Sequence, residues 1–138
     1  MNTKGPILIV EDDEEDQLIL RETFGDLQIK KELIFFDDCT LAFNFLMSTP
    51  IPPFLIISDI NLPRMNGIEF KKKIDQVDYL RMKSIPFIFF TTSDAEKSVE
   101  DAYQNTSVQG YFQKGNSLDD IKKKLRIILT YWTESLHP

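Results

Sequence analysis

Short, uninterrupted apolar runs alternate along this chain with stretches whose apolar residues recur every three or four positions. Ile7-Leu8-Ile9-Val10 is rich in β-branched residues and ends abruptly in charge, as a buried strand does. Leu20, Phe24 and Leu27 then follow at helical spacing, and Gly25 marks the predicted stop of a helix that begins near residue 14. Leu33-Ile34-Phe35-Phe36 reads as a second strand. Asp38 caps a second helix with Ala42, Phe45 and Leu46 on one face, ended by Pro50, Pro52 and Pro53. A third strand, Phe54 to Ile57, leads through Ser58-Asp59 into a loop from Ile60 to Gly67, and Phe70, Ile74 and Val77 mark a third helix. Phe87 to Phe90 form a fourth strand. Ser93 with Glu96 is a capping box opening a fourth helix, with Ala95, Val99, Ala102 and Tyr103 inward. Tyr111-Phe112 is a short fifth strand. Ser117 caps a fifth helix on which Leu118, Ile121, Leu125, Ile128 and Trp132 step by three and four.

Five strands and five helices in strict alternation predict an α/β fold, a doubly wound parallel sheet covered on both faces. Crossovers in such sheets are right-handed, and ligands sit beyond the carboxyl ends of the strands. With 138 residues the chain is expected to be one domain. One cysteine forms no intrachain disulfide, and one histidine with it assembles no zinc ligand set. A net charge of −6 argues against a bulk electrostatic grip on nucleic acid. No apolar run approaches the roughly 18 residues of a membrane helix, and Ile7 to Val10 is too short for a signal-peptide core. The expectation is a cytoplasmic protein in a reducing compartment.

The strand ends carry the chemistry. Glu11, Asp12 and Asp13 follow the first strand, Asp59 the third, Thr91 and Thr92 the fourth, and Lys114 the fifth. The intervals of 47, 32 and 23 residues from Asp12 through Asp59 and Thr91 to Lys114 are those that βα units produce. Clustered carboxylates repel one another unless a cation compensates. Oxygen-only ligands in modest number suit Mg²⁺, which shares phosphate oxygens, and a lysine with a threonine hydroxyl binds an anion bearing several oxygens. Together they describe a phosphoryl site.

The chain resembles the receiver domains of two-component response regulators over essentially its whole length. The resemblance rests on Ile9-Val10-Glu11-Asp12-Asp13, on Asp59-Ile60-Asn61-Leu62-Pro63-Arg64-Met65-Asn66-Gly67, on Phe90-Thr91-Thr92-Ser93, and on Gly110-Tyr111-Phe112-Gln113-Lys114, in that order. The triplet Thr91-Thr92-Ser93 is also similar to the single-domain regulators encoded beside bacterial phytochrome kinases. The resemblance implies a flavodoxin-like strand order 2-1-3-4-5 and a receiver over 1–138 with no output domain. It implies Asp59 as phosphoacceptor from a sensor histidine kinase of phytochrome type, with Asp12 a direct Mg²⁺ (or Mn²⁺) ligand and Glu11 acting through water. The Asn61 carbonyl would complete the protein ligands, Lys114 would pair with phosphoryl oxygens, and Thr91 would move to hydrogen-bond one of them. Tyr111 occupies the aromatic switch position. Thr92 replaces a smaller residue, and its bulk is expected to narrow access of water. Gly115 stands where the family usually has proline.

On this reading the chain is not an enzyme in the usual sense, although it assists its own phosphorylation and dephosphorylation. Output passes to a downstream protein or a phosphotransfer protein, with no direct nucleic-acid or membrane partner. Ile127, Leu129 and Tyr131 leave the second half of the last helix apolar almost all round, which points to a homodimer through the fourth helix, fifth strand and fifth helix. One alternative is a binding module that works without phosphorylation, which the complete set Glu11, Asp12, Asp59, Thr91 and Lys114 opposes. The other is a phosphohydrolase, which needs an acid two residues beyond the nucleophile, where Asn61 cannot protonate a leaving group. Glu14, Glu15 and Asp16 are read as a solvated helix start, Lys71 to Lys73 and Lys122 to Lys124 as solvated faces, Cys39 as packing near the second helix start, and His137 as inert.

Overall fold

The computed structural model describes residues 5–92, 96–115 and 117–134. Five parallel strands, β1 (Ile7–Val10), β2 (Leu33–Phe36), β3 (Leu55–Ser58), β4 (Phe87–Thr91) and β5 (Gly110–Gln113), lie in the order β2-β1-β3-β4-β5. Among the described residues six helices connect and cover them: α1 (Glu14–Asp26), α2 (Cys39–Ser48), α3 (Gly67–Asp75), α4 (Asp78–Lys83), α5 (Glu96–Asn105) and α6 (Leu118–Glu134). The register aligns Val10 with Phe36 and with Ser58, so Glu11 and Asp59 leave the sheet side by side.

Alternation along the strands divides the core in two. Leu8, Val10, Ile56, Phe87 and Phe89 pack beneath α2, α3, α4 and α5, whereas Ile7, Ile9, Leu55, Ile57, Ile88 and Phe90 pack beneath α1 and α6. Every residue of β1, β3 and β4 is buried, which explains why these strands read as unbroken apolar runs. β2 is half-buried throughout, as an edge strand should be. Among the described residues no helix is long and apolar enough to cross a membrane.

The prediction of five helices is corrected to six. Val77 does not continue α3; it adopts an extended conformation (φ −98°, ψ 111°), and a six-residue helix begins anew at Asp78 and ends on left-handed Ser84. Gly25 is no stop, since α1 runs to Asp26 and the left-handed residue is Gln28. The third strand starts one residue later than predicted. Tyr103 and Leu118 are exposed rather than inward, because α5 makes its close approach through Ala102 and the core contacts of α6 begin at Ile121. Leu129, by contrast, is buried. Ser117 does cap α6, its Oγ accepting the Asp120 N–H at 3.1 Å. The capping box at Ser93, and with it Ala95, lies outside the described residues, as does His137.

Lys71 is the largest departure on the surface. It is buried at 5% exposure, where a solvated face was expected. Its ammonium donates to Asp75 at 2.8 Å and lies 5.3 Å from the centre of the Phe87 ring, so both its charge and its alkyl stem are accommodated beneath the sheet. Cys39 packs at the start of α2 as expected, and burial pushes its thiol up to about 12, so it carries no thiolate chemistry.

Candidate functional site

The carboxyl ends of β1, β3, β4 and β5 lie along one edge of the sheet, where the strand order reverses between β1 and β3. The β1–α1 connection is fixed by Asp13, whose Oδ1 accepts the N–H groups of Glu15 (2.8 Å) and Asp16 (3.2 Å) and so starts α1. The Asp13 N–H donates in turn to Glu11 at 3.3 Å, and the Gln17 amide donates to the Glu11 carbonyl at 2.6 Å. Glu11 is thereby held facing inward, 2% exposed, while Asp12 stays exposed.

Asp59 is held from its own loop and from below. Its Oδ1 accepts the N–H of Ile60 at 2.7 Å and of Asn61 at 3.4 Å. Beneath it, α3 begins at Gly67 because only a residue without Cβ fits there: a Cβ would stand 2.1 Å from the Asp59 carbonyl oxygen. Asn66 caps α3 with a reciprocal pair of bonds to Glu69, and the Arg64 guanidinium pairs with Asp38 (Nε to Oδ2 3.0 Å), tying this loop to the start of α2.

One ligand oxygen from each of Glu11, Asp12 and Asp59 falls within 4.8 Å of the others. Lys114 enters from the end of β5 and is 2% exposed. Its ammonium donates to Glu11, to Asp16 at 2.7 Å and to Asp59 Oδ2 at 3.3 Å. Burial pushes the Glu11 carboxyl up to about 7, opposed by the charge of Lys114 and reinforced by that of Asp59. Burial alone would depress the lysine, but Glu11 and Asp59 outweigh it and hold the ammonium above its ordinary value.

Thr91 ends β4 fully buried opposite Gln113, and its carbonyl accepts the Lys114 N–H at 2.8 Å, which ties the lysine's backbone to the end of β4. Thr92 follows it, exposed. Asn61 is exposed beside Asp59. Tyr111 is half-buried on β5, its ring 5.9 Å from that of its β4 neighbour Phe89 in the core beneath α2 to α5, so it sits within the sheet rather than among the carboxylates at the strand ends. Gly115 has φ +88°, in a trans backbone, and a Cβ there would lie 2.7 Å from Asp120 Cβ. The turn after the lysine is therefore built for glycine by its backbone and by its neighbour.

Asp16 was missed among the acids of the helix start, although it touches the central lysine. A signal was present: a helix begun by Asp13 returns Asp16, one turn in, toward the strand end it has just left.

The model of the response regulator receiver domain matches residues 7–126. The chain belongs to that family. The response regulator Rcp1 of Synechocystis sp. is 34% identical over 141 residues, covering 98% of this chain and 93% of that protein. The crystal structure of the Mn²⁺-bound form of Rcp1 superposes with a TM-score of 0.85 at 32% identity, over 96% of this chain and 97% of that one. The phosphorylated cyanobacterial phytochrome response regulator RcpA shares the fold, with a TM-score of 0.88 at 24% identity over 98% of both chains. As a response regulator receiver domain, the chain works in two-component signalling, where such domains partner with histidine kinases and downstream targets. The acidic cluster of this receiver fits a hard divalent cation, because all its donors are oxygens and a buried carboxyl already raised toward neutrality gains a counter-charge.

Proposed function

We propose that this receiver accepts a phosphoryl group on Asp59 from a kinase phosphohistidine. The observation that carries this reading is the set of three carboxylates within 4.8 Å of one another, two of which, Glu11 and Asp59, pair with one buried ammonium. Glu11, Asp12, Asp59 and the backbone carbonyl of Asn61 would hold Mg²⁺ or Mn²⁺, which neutralises charge on the phosphoryl oxygens when bound. Asp59 Oδ2 faces Lys114, while Oδ1 is occupied by two amide N–H groups. An Asp59 oxygen forms the new O–P bond as the P–N bond to the donor imidazole breaks, and the electron pair stays on the imidazole nitrogen. Lys114 then binds a phosphoryl oxygen, and Thr91 and Tyr111 move with the added charge near −2. The domain thus assists its own modification and does not turn over a separate substrate.

The likeness to Rcp1 and to RcpA supports a phytochrome-type sensor kinase as the donor. A homodimer through α5, β5 and α6 is supported by exposed Ile127 and Tyr131, which rim an apolar groove of about 250 Å³ with Phe112, Ile128 and Trp132. A sedimentation mass of one chain, with and without phosphoryl group, refutes the dimer. Passage of the signal to a downstream or phosphotransfer protein uses the same face. The test of the central reading is incubation with Mg²⁺ and acetyl phosphate, which loses acetate as the O–P bond forms. Wild type gains one phosphoryl mass and Asp59→Asn gains none; an unmodified wild type, or an equal gain in the variant, overturns it.

A further inference from the structure

An ammonium has three N–H donors. All three of those on Lys114 are directed at carboxylates: Glu11, Asp16 at 2.7 Å and Asp59 Oδ2 at 3.3 Å. Of the last two, the bond to Asp16 is clearly the shorter. The group expected to be phosphorylated therefore has the weaker hold on the lysine, and an acid outside the three-carboxylate cluster has the stronger one. Asp16 also differs from Glu11 in freedom. Its side chain is 24% exposed in the first turn of α1, against 3% for that of Glu11, so it is able to swing into water with its carboxylate hydrated.

We infer that Asp16 is a positioning residue that competes with the Asp59 phosphoryl group for Lys114. This rests on the reading of Asp59 as phosphoacceptor. In the unmodified protein Asp16 keeps one donor of the lysine engaged. Three phosphoryl oxygens arriving on Asp59 offer a denser acceptor, the lysine turns to them, and Asp16 is released. Because Asp16 stabilises only the unmodified arrangement and repels the incoming dianion, it lowers the affinity of the site for a phosphoryl group. Its removal should therefore strengthen a step that loss of a merely structural contact would weaken.

The experiment compares wild type, Asp16→Asn, Asp16→Ser and Glu15→Gln for equilibrium binding of trifluoroberyllate, an anion that becomes tetrahedral on a carboxylate oxygen and there mimics a phosphoryl group, at saturating Mg²⁺. Glu15 is exposed on the same helical turn and donates only its backbone N–H, to Asp13, so Glu15→Gln reports the effect of removing a charge without the competition. Charged hydrogen bonds are about twice as strong as neutral ones, so both Asp16 variants should bind about five- to tenfold more tightly, and Glu15→Gln by less than about twofold. Thermal melts confirm that each variant is folded. Equal or weaker binding in folded Asp16→Asn and Asp16→Ser, or an equal gain in Glu15→Gln, overturns the role of Asp16 while leaving Asp59 as acceptor intact. Wild type that fails to bind the anion, or Asp59→Asn that binds it as well, removes both readings together.

Discussion

Gly67 joins the fold to the site, and Gly67→Ala tests whether that junction is as tight as the geometry says. The added methyl group would lie 2.1 Å from the Asp59 carbonyl oxygen, 2.9 Å from Ile60 Cα and 3.0 Å from the Asp59 carbonyl carbon. All three are backbone atoms, so no side chain can rotate out of the way. Relief requires α3 and the Asp59 backbone to part by about 0.9 Å, since Cβ atoms essentially never approach closer than 3.0 Å. That movement strains the bond from the Gly67 N–H to the Ile60 carbonyl, now 2.9 Å long. Overpacking of this kind costs about 1–3 kcal/mol and a lost backbone hydrogen bond about 1 kcal/mol. The expected loss is thus about 2–4 kcal/mol, a fall in melting temperature of roughly 10 °C for a domain of this size.

The same shift moves Asp59, the proposed phosphoacceptor. A displacement of about 1 Å in a reacting group costs on the order of 10²-fold in rate, so phosphorylation by acetyl phosphate should slow by about that factor under conditions where the variant is folded. The control is Gly25→Ala. Gly25 lies within α1, and a Cβ there meets nothing within 4 Å, so alanine should stabilise by about 0.5–1 kcal/mol and leave the rate unchanged. Urea melts and a mass-spectrometric time course measure both quantities. Wild-type stability and rate in Gly67→Ala, or an equal loss in Gly25→Ala, would refute the packing argument.

Two further predictions concern the opposite end of the sheet and the rim of the site. Burial would raise the Asp75 carboxyl, but hydrogen bonds from Lys71 and from the N–H and Oγ of Ser107 outweigh it and hold it below its ordinary value. A depressed acid contributes stability that is complete above its unfolded value of about 3.9 and is lost as pH falls through the lower folded value. Asp75→Asn should therefore flatten the fall of the urea midpoint below about pH 4, and an acid limb as steep as that of wild type would contradict this. Thr92 stands exposed beside buried Thr91; Thr92→Ala should shorten the half-life of the Asp59 phosphoryl group severalfold by widening the approach of water, and an unchanged half-life rules that out.

What the sequence reveals and what it hides follow from how many side chains decide each feature. β1, β3 and β4 are legible because every residue is buried and each adds to the same signal. α4 is hidden because six residues carry too little periodicity, and Val77 extends the apolar spacing of α3 although its backbone leaves the helix. Lys71, one of three consecutive lysines, is told apart from its neighbours only by the helix rotation that brings it to Asp75 and over Phe87. The acids from Glu11 to Asp16 pose the same problem at the site. Strand geometry assigns Glu11 and Asp12 to the sheet edge, and the Asp13 cap sets where α1 begins. From that start, rotation about the helix turns Asp16 toward Lys114 and leaves Glu14 and Glu15 in solvent. Residue type at a strand end is thus enough to predict that a cation and a phosphoryl group belong there. The balance of bonds at Lys114 is set in part by the Asp13 cap, which lies beside Glu11 and Asp16 in the chain but far along it from Asp59 and from the lysine itself.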